Sequence, residues 1–261
     1  MPADKPPREK RLTRVLEHVL HAGSVTSAEL ASLTGVSIMT IHRDIDALVE
    51  RGLVRKFHGG VSALPSTVFE SSSEFRMRVN TTAKEAIARE AVSLVEPGMS
   101  VLLDDSTTGY AVARLLPEVG PLTVVTNFRR VIDLLHDKQD IQLIALGGDY
   151  SRTHDSFLGV GAEDAVAGLN VDIAFLSTSA MTPEMTFHQE QAIVQVKRPM
   201  MTAATLPVLL MDASKLSRTA LYRLAPTSSY SLAIIDDRAP ADVVAKIAEN
   251  VDVRIAPLEA S

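Results

Sequence analysis

Apolar residues recur at helical spacing along the first quarter of the chain. Between Leu12 and Leu20 they fall at positions 12, 15, 16, 19 and 20, a spacing that predicts a helix over 8–22 with one buried face. Thr26 and Glu29 follow in the pattern of a capping box, in which each side chain satisfies the backbone amide of the other residue. A short second helix is therefore predicted to begin there.

A third helix is predicted after a glycine turn. Gly35 tolerates the left-handed backbone of a tight turn, and Ser37 is a favourable N-cap. The inward positions of this helix are Ile38, Ile41, Ile45 and Leu48. Two helices joined by such a turn are typical of a helix-turn-helix, and the weakly alternating stretch 53–61 predicts a small β-wing beside it.

From residue 83 onward, short apolar runs alternate with helical segments. Near-continuous apolar runs are typical of parallel strands that are covered on both faces, so this part predicts an α/β domain with a doubly wound, mostly parallel sheet. The predicted organisation is a winged helix-turn-helix over 1–61, a linker over 62–82 and an α/β sensor domain over 83–261. The predicted strands of the sensor domain are 99–104, 122–126, 141–146, 172–176, 208–211, 221–224, 232–235 and 251–255.

Charge is divided unevenly between the two predicted domains. The 261 residues carry a formal net charge of -6, yet residues 1–60 hold nine Lys and Arg against seven Asp and Glu. The remainder holds 17 against 25. A mildly basic head on an acidic body indicates two parts with different partners.

Composition excludes several classes of protein. The chain has no Cys, which excludes disulfides, thiol catalysis and Cys-bound zinc. His136, His154 and His188 lack metal-ligand spacing, so we expect no metal site and interpret them as surface residues, with one at most lining a pocket. The absence of a Gly-x-Gly-x-x-Gly motif and of a P-loop predicts no nucleotide cofactor. Without a secretory signal or an apolar run of about 18 residues, the sequence predicts a cytoplasmic protein that does not bind membranes.

The third helix and the wing supply candidate DNA contacts. A recognition helix presents its outward face to base edges in the major groove, and a basic wing meets the phosphate backbone. The candidates are Ser37, Met39, Thr40, His42 and Arg43 on the helix, and Arg55, Lys56 and His58 on the wing. The alternative is a helical bundle that binds another protein, in which Arg43, Asp44 and Asp46 are simply solvated.

Polar residues follow the predicted strands of the α/β domain. Open parallel sheets bind ligands at the carboxyl ends of their strands, at a topological switch point. Hydroxyls, amides and cations that converge on that edge describe a pocket for a phosphorylated sugar or polyol, with the turn at 106–108 as an anion seat. The candidate effector residues are Asp104, Asp105, Ser106, Thr107, Thr108, Thr126, Asn127, Gly147, Gly148, Arg152, Lys197, Asp212 and Lys215.

These motifs together resemble those of the DeoR family of bacterial transcriptional regulators, over nearly the whole chain. The matching segments are 36–48, 58–60, 84–88, 107–108, 124–127, 146–148, 156–159 and 212–215. The resemblance implies a winged helix-turn-helix joined to a sensor domain similar to ribose-phosphate isomerase folds. It also implies a homodimeric or homotetrameric repressor of a sugar or polyol catabolism operon. Such a repressor binds double-stranded operator DNA and is released by a phosphorylated sugar.

The sequence departs from the family pattern at three places. His42 stands where the family has a first Arg, and Ser106 stands where it has Gly before the Thr pair. The segment 177–181 replaces a Gly-rich one, and this change bears on which effector binds.

Two other functions are weighed against a regulator. One is a sugar-phosphate isomerase or deaminase, with Asp104, Asp105 or Glu190 as acid or base and Lys197 or Lys215 holding the phosphate. The head has no role in such an enzyme, so a non-enzymatic regulator is preferred. The other is a protein-interaction module with a helical head.

Overall fold

The structure, a computed structural model, describes residues 7–50, 53–63 and 73–258. The chain divides into two compact units, which comprise Met1–Val79 and Asn80–Ser261. Part of the predicted linker, at 64–72, lies outside the described residues. Within the linker, the structure contains a helix at Ser73–Arg78, close to a short helix that the sequence pattern predicts near Phe75–Val79.

The first unit is a small helical core with a three-stranded antiparallel sheet. Its elements are α1 (Pro7–Ala22), β1 (Ser24–Thr26), α2 (Ser27–Thr34), α3 (Ile38–Glu50), β2 (Val54–Phe57), β3 (Gly60–Ala63) and α4 (Ser73–Arg78). The strand order is β1-β3-β2, so the predicted wing is a hairpin that gains a third strand. Leu16, Leu30, Ile41 and Phe75 belong to one buried apolar cluster that joins the helices.

Two local features of this unit confirm the sequence prediction. Thr26 Oγ1 accepts a hydrogen bond from the Glu29 amide at 3.2 Å, and Glu29 Oε2 accepts one from the Thr26 amide at 2.8 Å. The capping box is therefore complete. Gly35 ends α2 with φ 70°, in the left-handed region where glycine has no steric penalty.

The prediction for Ile38 was wrong. Ile41, Ile45 and Leu48 are buried as expected, but Ile38 is 49% exposed. It is the first residue of α3, so no preceding turn of the helix shields it. Asp44 takes part in the buried face instead, which removes it from the solvated surface considered for Arg43, Asp44 and Asp46.

The second unit is built around a seven-stranded parallel sheet. Its strands are β4 (Ser100–Leu103), β5 (Leu122–Thr126), β6 (Ile141–Ala145), β9 (Val171–Leu176), β12 (Ala204–Met211), β14 (Leu232–Asp236) and β15 (Val253–Ala256). Its helices are α5 (Thr81–Val92), α6 (Thr107–Ala113), α7 (Arg129–Leu135), α8 (Val160–Ala167), α9 (Gln191–Thr202) and α10 (Ala241–Ala248). The doubly wound α/β fold is confirmed.

Helices cover both faces of this sheet because alternate strand residues are apolar on both sides. Val101 and Leu103 point into a core shared with α5, α6 and α7, whereas Leu102 points into a core shared with α8, α9 and α10. The strand order is β15-β14-β12-β9-β4-β5-β6. From β4 the chain winds to one side, and from β9 it winds to the other, so the topological switch point lies between these two strands.

Most of the short strands outside the main sheet were not predicted. The stretch after β6 forms a hairpin of β7 (Asp149–Ser151) and β8 (Ser156–Leu158). A second small sheet joins β10 (Ala180–Met181), β11 (Met185–His188) and β13 (Tyr222–Pro226). The predicted strand at 221–224 thus exists, but it pairs antiparallel with β11.

Candidate functional site

The outward face of α3 carries the candidate base contacts. Ser37 caps the helix, since its hydroxyl accepts a hydrogen bond from the Thr40 amide at 3.3 Å and lies 3.0 Å from Thr40 Oγ1. Met39 is 66% exposed, and the side chains of His42 and Arg43 are exposed as well. This face therefore combines an apolar group, an imidazole and a guanidinium, which can contact thymine methyl groups and base-edge acceptors.

The wing places its cations beside α3. Arg55, Lys56 and His58 are exposed on β2 and the turn that follows it. Lys56 Nζ lies 2.7 Å from Asp46 Oδ1, so in the free protein this cation is engaged by a carboxylate of α3. A phosphate at the wing therefore competes with Asp46 for Lys56.

A buried carboxylate holds α3, the candidate recognition helix, against α1. Asp44 is 1% exposed, and Arg11 on α1 donates to both of its oxygens, at 2.6 and 3.3 Å. The hydrogen bond to Asp44 holds the pKa of Arg11 above its ordinary value. The pair fixes α3 against α1 and so orients the exposed face of the recognition helix.

A buried ionic cluster occupies the switch point of the sensor sheet. Lys197 on α9 pairs with Asp104 Oδ2 and lies 3.0 Å from Asp105 Oδ1, with all three side chains buried. Burial lowers the pKa of Lys197, but the two carboxylates outweigh that effect and hold the pKa above the ordinary lysine value. The remaining oxygens are also engaged. Asp104 accepts from the amides of Ser106 (3.0 Å) and Ser177 (2.8 Å), and Asp105 accepts from the Ser156 hydroxyl (3.1 Å).

A second charged group lies at the end of β12. Lys215 Nζ is 3.4 Å from Ser177 Oγ and 3.8 Å from Asp212 Oδ2. Asp212 is almost completely buried, and burial raises its pKa. Lys215, Ser214 and Lys84 outweigh burial, so the pKa lies below the ordinary aspartate value. Because Lys197 is enclosed by two carboxylates, the partly exposed Lys215 is the better placed of the two lysines to meet a solvent-borne anion.

Two histidines predicted to lie on the surface are buried next to the ionic cluster. His154 Nε2 lies 3.0 Å from Glu190 Oε2, and His154 Nδ1 lies 4.0 Å from Asp105 Oδ2. The His188 ring is 6.3 Å from that of His154. Of the three histidines, His136 alone is exposed as expected. His154 is buried because it lies at the tip of an unpredicted hairpin that folds over the end of the sheet.

The other candidate effector residues divide into buried and exposed groups. Thr126 and Asn127 are buried, and the Asn127 amide donates to the Phe157 carbonyl at 2.9 Å, which ties β5 to the hairpin. Gly147, Gly148 and Arg152 are exposed. A Cβ on Gly148 would lie 2.4 Å from the Leu158 carbonyl oxygen, so this glycine allows the hairpin to pack closely.

Some of the backbone amides in the turn after β4 already form hydrogen bonds within the turn. Ser106, Thr107 and Thr108 are buried, as their place at the switch point requires. The Ser106 amide donates to Asp104, and Ser106 Oγ accepts from the Gly109 amide at 2.9 Å. These amides therefore hold the turn in shape, and the role of the Thr pair as an anion seat stays a prediction.

Sequence reasoning missed two groups near the site. Lys84 lies on a helix, where a solvated position is the ordinary interpretation, and the buried Asp155 follows His154 in the hairpin turn. Arg129 Nε and the Tyr150 hydroxyl each lie 2.6 Å from Asp155 Oδ1, and Arg130 Nε lies 3.0 Å from Asp155 Oδ2. A resemblance to the family at 84–88 was the one available signal for Lys84.

Comparisons with known proteins agree with this architecture. The DeoR-like helix-turn-helix domain matches residues 11–67, and the DeoR C terminal sensor domain matches residues 79–237. The chain is thus a DNA-binding transcriptional regulator with a separate sensor domain. It belongs to the DeoR family.

Relatives in this family are similar along most of their length. An uncharacterized HTH-type transcriptional regulator of Escherichia coli is 35% identical, covering 87% of this chain and 89% of the relative. The L-fucose operon activator of Haemophilus influenzae is 32% identical (92% and 96%), and the glycerol-3-phosphate regulon repressor of Escherichia coli is 29% identical (90% and 93%).

Among solved structures, a ribose-5-phosphate isomerase in complex with phospho-erythronic acid is similar with a TM-score of 0.37. It is 19% identical and covers 51% of this chain and 52% of its own. Similarity at this level does not bear on function.

Among the described helices, none is long and apolar enough to cross a bilayer.

Proposed function

We propose that this protein represses a sugar or polyol catabolism operon and leaves its operator when a phosphorylated sugar binds the sensor domain. The observation that carries the proposal is Lys215, a partly exposed cation beside the Ser177 hydroxyl at the switch point of a parallel sheet. Two relatives regulate an L-fucose operon and a glycerol-3-phosphate regulon, which supports a ligand of this chemistry.

Regulation without catalysis fits the state of the buried carboxylates. A carboxylate acts less readily as a general base when a cation and hydrogen-bond donors already hold it. Asp104 and Asp105 are held in this way by backbone, hydroxyl and ammonium donors. We infer that these residues shape the pocket and do not move protons, and turnover of a sugar phosphate by the purified protein would contradict this inference.

On DNA, we propose a homodimer or homotetramer in which α3 enters the major groove and the wing contacts phosphates. Two-fold symmetry of the protein implies an operator with two related half-sites. Arg43 supplies a fork of donors for guanine, while Arg55, Lys56 and His58 supply affinity through the backbone.

The deciding experiment is fluorescence anisotropy on DNA from upstream of the protein's own gene and of neighbouring operons, with scrambled DNA as reference. A panel of phosphorylated sugars and polyols is added at fixed salt concentration. We expect specific binding that one phosphate ester abolishes. Lys215→Ala should bind DNA like the parent but require much more ester for release, whereas the exposed Lys246→Ala should respond normally. An unchanged response of Lys215→Ala would place the pocket elsewhere, and an ester that tightens binding would overturn the proposed release from the operator.

A further inference from the structure

The connection between the two units is very short. Helix α4 ends at Arg78, its Phe75 side chain belongs to the core of the first unit, and Val79 is the last residue of that unit. Asn80 begins the second unit and directly precedes α5. Any movement that the sensor domain transmits along the chain toward the DNA-binding unit must therefore pass through Asn80.

Asn80 lies at the N-cap of α5 but does not cap this helix with its side chain. An Asn at a helix N-cap normally has an extended backbone and accepts a hydrogen bond from the first turn of the helix. Here Asn80 has φ 52° and ψ 35°, in the left-handed region, and its side chain makes no capping hydrogen bond with α5. Asn tolerates the left-handed backbone better than most residues, but in this conformation it gives up the cap of α5, so the helix does not explain it.

The side-chain amide instead reaches the loop that carries Lys215. Asn80 Nδ2 donates to Asp212 Oδ1 at 3.0 Å and to Ser214 Oγ at 3.0 Å. Ser214 in turn donates its amide to Asp212 Oδ1 at 3.1 Å. The residue that joins the two units is thus bonded to the loop 212–215 at the ligand edge of the sheet.

Anion binding at Lys215 changes the charge balance of this loop. Asp212 Oδ2 accepts no hydrogen bond from the described part of the chain, and its charge is compensated by Lys215, 3.8 Å away, and by Lys84. A phosphate group that draws Lys215 toward itself weakens this compensation and adds a negative charge nearby. The Asp212 carboxylate must then strengthen or rearrange its remaining contacts, among which is the Asn80 amide.

We propose that Asn80 is the positioning residue that couples effector binding to DNA release, through its hydrogen bonds to Asp212 and Ser214. This inference rests on the proposed function, because it assigns the route between the two sites of that function. The coupling is energetic: the effector and the operator favour different arrangements of the Asn80–Asp212–Ser214 contact.

The test is a coupling measurement on the full-length Asn80→Gly variant. Glycine accepts the left-handed backbone without strain, so the substitution removes the amide and preserves the path of the chain. Operator affinity is measured by anisotropy without ester and at saturation with the phosphate ester that releases the parent, and ester affinity is measured by calorimetry without DNA. Allosteric factors of this kind are typically about 5- to 150-fold.

We expect Asn80→Gly to bind operator and ester each within about threefold of the parent, while the ester-induced loss of operator affinity falls below about twofold. Ser214→Ala removes one of the two acceptors of the Asn80 amide and leaves Asn80 itself unchanged. Its ester-induced loss of operator affinity should lie between those of the parent and of Asn80→Gly. It also keeps the test available if Asn80→Gly folds poorly. Asn250→Gly, at the end of α10, is the matched control and should retain the parental factor.

The outcomes separate this inference from the proposed function. A parent protein that no ester releases overturns the proposed function and the coupling role with it. A parent that responds, together with an Asn80→Gly variant that responds equally, overturns the coupling role alone. A variant that loses ester affinity but keeps its coupling factor would make Asn80 a binding residue and would likewise overturn the inference.

Discussion

Both units bury aspartate carboxylates, but they neutralise them in different ways. In the first unit, Asp44 pairs with Arg11, whose side chain remains 22% exposed, so the cation keeps part of its hydration. In the second unit, Asp104 and Asp105 share Lys197, which is itself 3% exposed. The first arrangement holds one helix against another, whereas the second holds three charges inside the protein, at the edge of the sheet where we propose that a ligand binds.

This difference predicts unequal costs when each arrangement is broken. A buried charge without a partner retains its full desolvation penalty, while a charge near the surface can recover water. The sensor cluster should therefore tolerate substitution less well than the Asp44–Arg11 pair. The following predictions are ordered by the size of the expected effect.

Lys197→Met should have the largest effect, about 3–5 kcal/mol of lost stability in the second unit. Methionine fills a similar volume but leaves Asp104 and Asp105 buried without their cation. The free energy of unfolding is measured by urea titration, with the exposed Lys246→Met as the control. A loss below about 1 kcal/mol would mean that water or rearranged donors replace the ammonium group.

Asp44→Asn should cost less, about 1.5–3 kcal/mol, because it removes a charged hydrogen-bond acceptor but leaves a partly hydrated Arg11. The thermal transition of the first unit should shift, while that of the second should not. Asp46→Asn serves as the matched control on the exposed side of α3. Equal losses in both variants would contradict a fastening role for Asp44.

Asp155→Asn should cost about 1 kcal/mol at neutral pH, since its arginine partners are half-exposed. Asn tolerates the left-handed backbone at this position (φ 58°), so the substitution isolates the charge. Burial raises the pKa of Asp155, but Arg129, Tyr150 and Arg130 outweigh it, and the folded-state pKa lies below the ordinary aspartate value.

A depressed pKa means that the stabilisation by Asp155 is complete above the unfolded-state value of about 3.9 and is lost as the pH falls through the folded-state value. The difference in unfolding free energy between the parent and Asp155→Asn should therefore shrink in acid. A difference that stays constant from pH 7 to pH 3 would show that packing, and not charge, is responsible.

The smallest effects are expected at the wing. Lys56→Ala should reduce the slope of log affinity against log salt by about one, without changing sequence preference. Asp46→Asn should raise DNA affinity slightly, because a carboxylate no longer competes with the DNA phosphates for Lys56. An Asp46→Asn variant that binds DNA more weakly would mean that the Lys56–Asp46 pair positions the wing for DNA.

The order of the main elements could be predicted because their patterns are strong. Helices such as α3 and strands such as β12 bury continuous apolar stripes or runs, which dominate local preference. The hairpin of β7 and β8 was missed because its strands have three residues each, too few for an alternating pattern to show. Ile38 was misplaced because periodicity alone does not reveal where a neighbouring element stops covering a helix.

The candidate site was predictable in its place but less so in its contacts. Asp104, Asp105 and Lys215 follow apolar strands directly, and the parallel sheet brings such positions to one edge. Lys197 and His154 come from a helix and a hairpin, so only the tertiary structure reveals that they enclose the carboxylates. Which residues touch a ligand stays a prediction.

The close approach of β3 to its neighbours has a consequence for DNA binding. A Cβ on Gly60 would lie 2.4 Å from the Val25 carbonyl oxygen and 2.7 Å from the Phe57 ring, so β3 is fitted tightly between β1 and β2. The wing is thus a preorganised part of the first unit, paired on both sides of its central strand. The backbone conformational entropy of Arg55 and Lys56 is therefore lost when the protein folds, and only their side chains remain to be ordered on the operator.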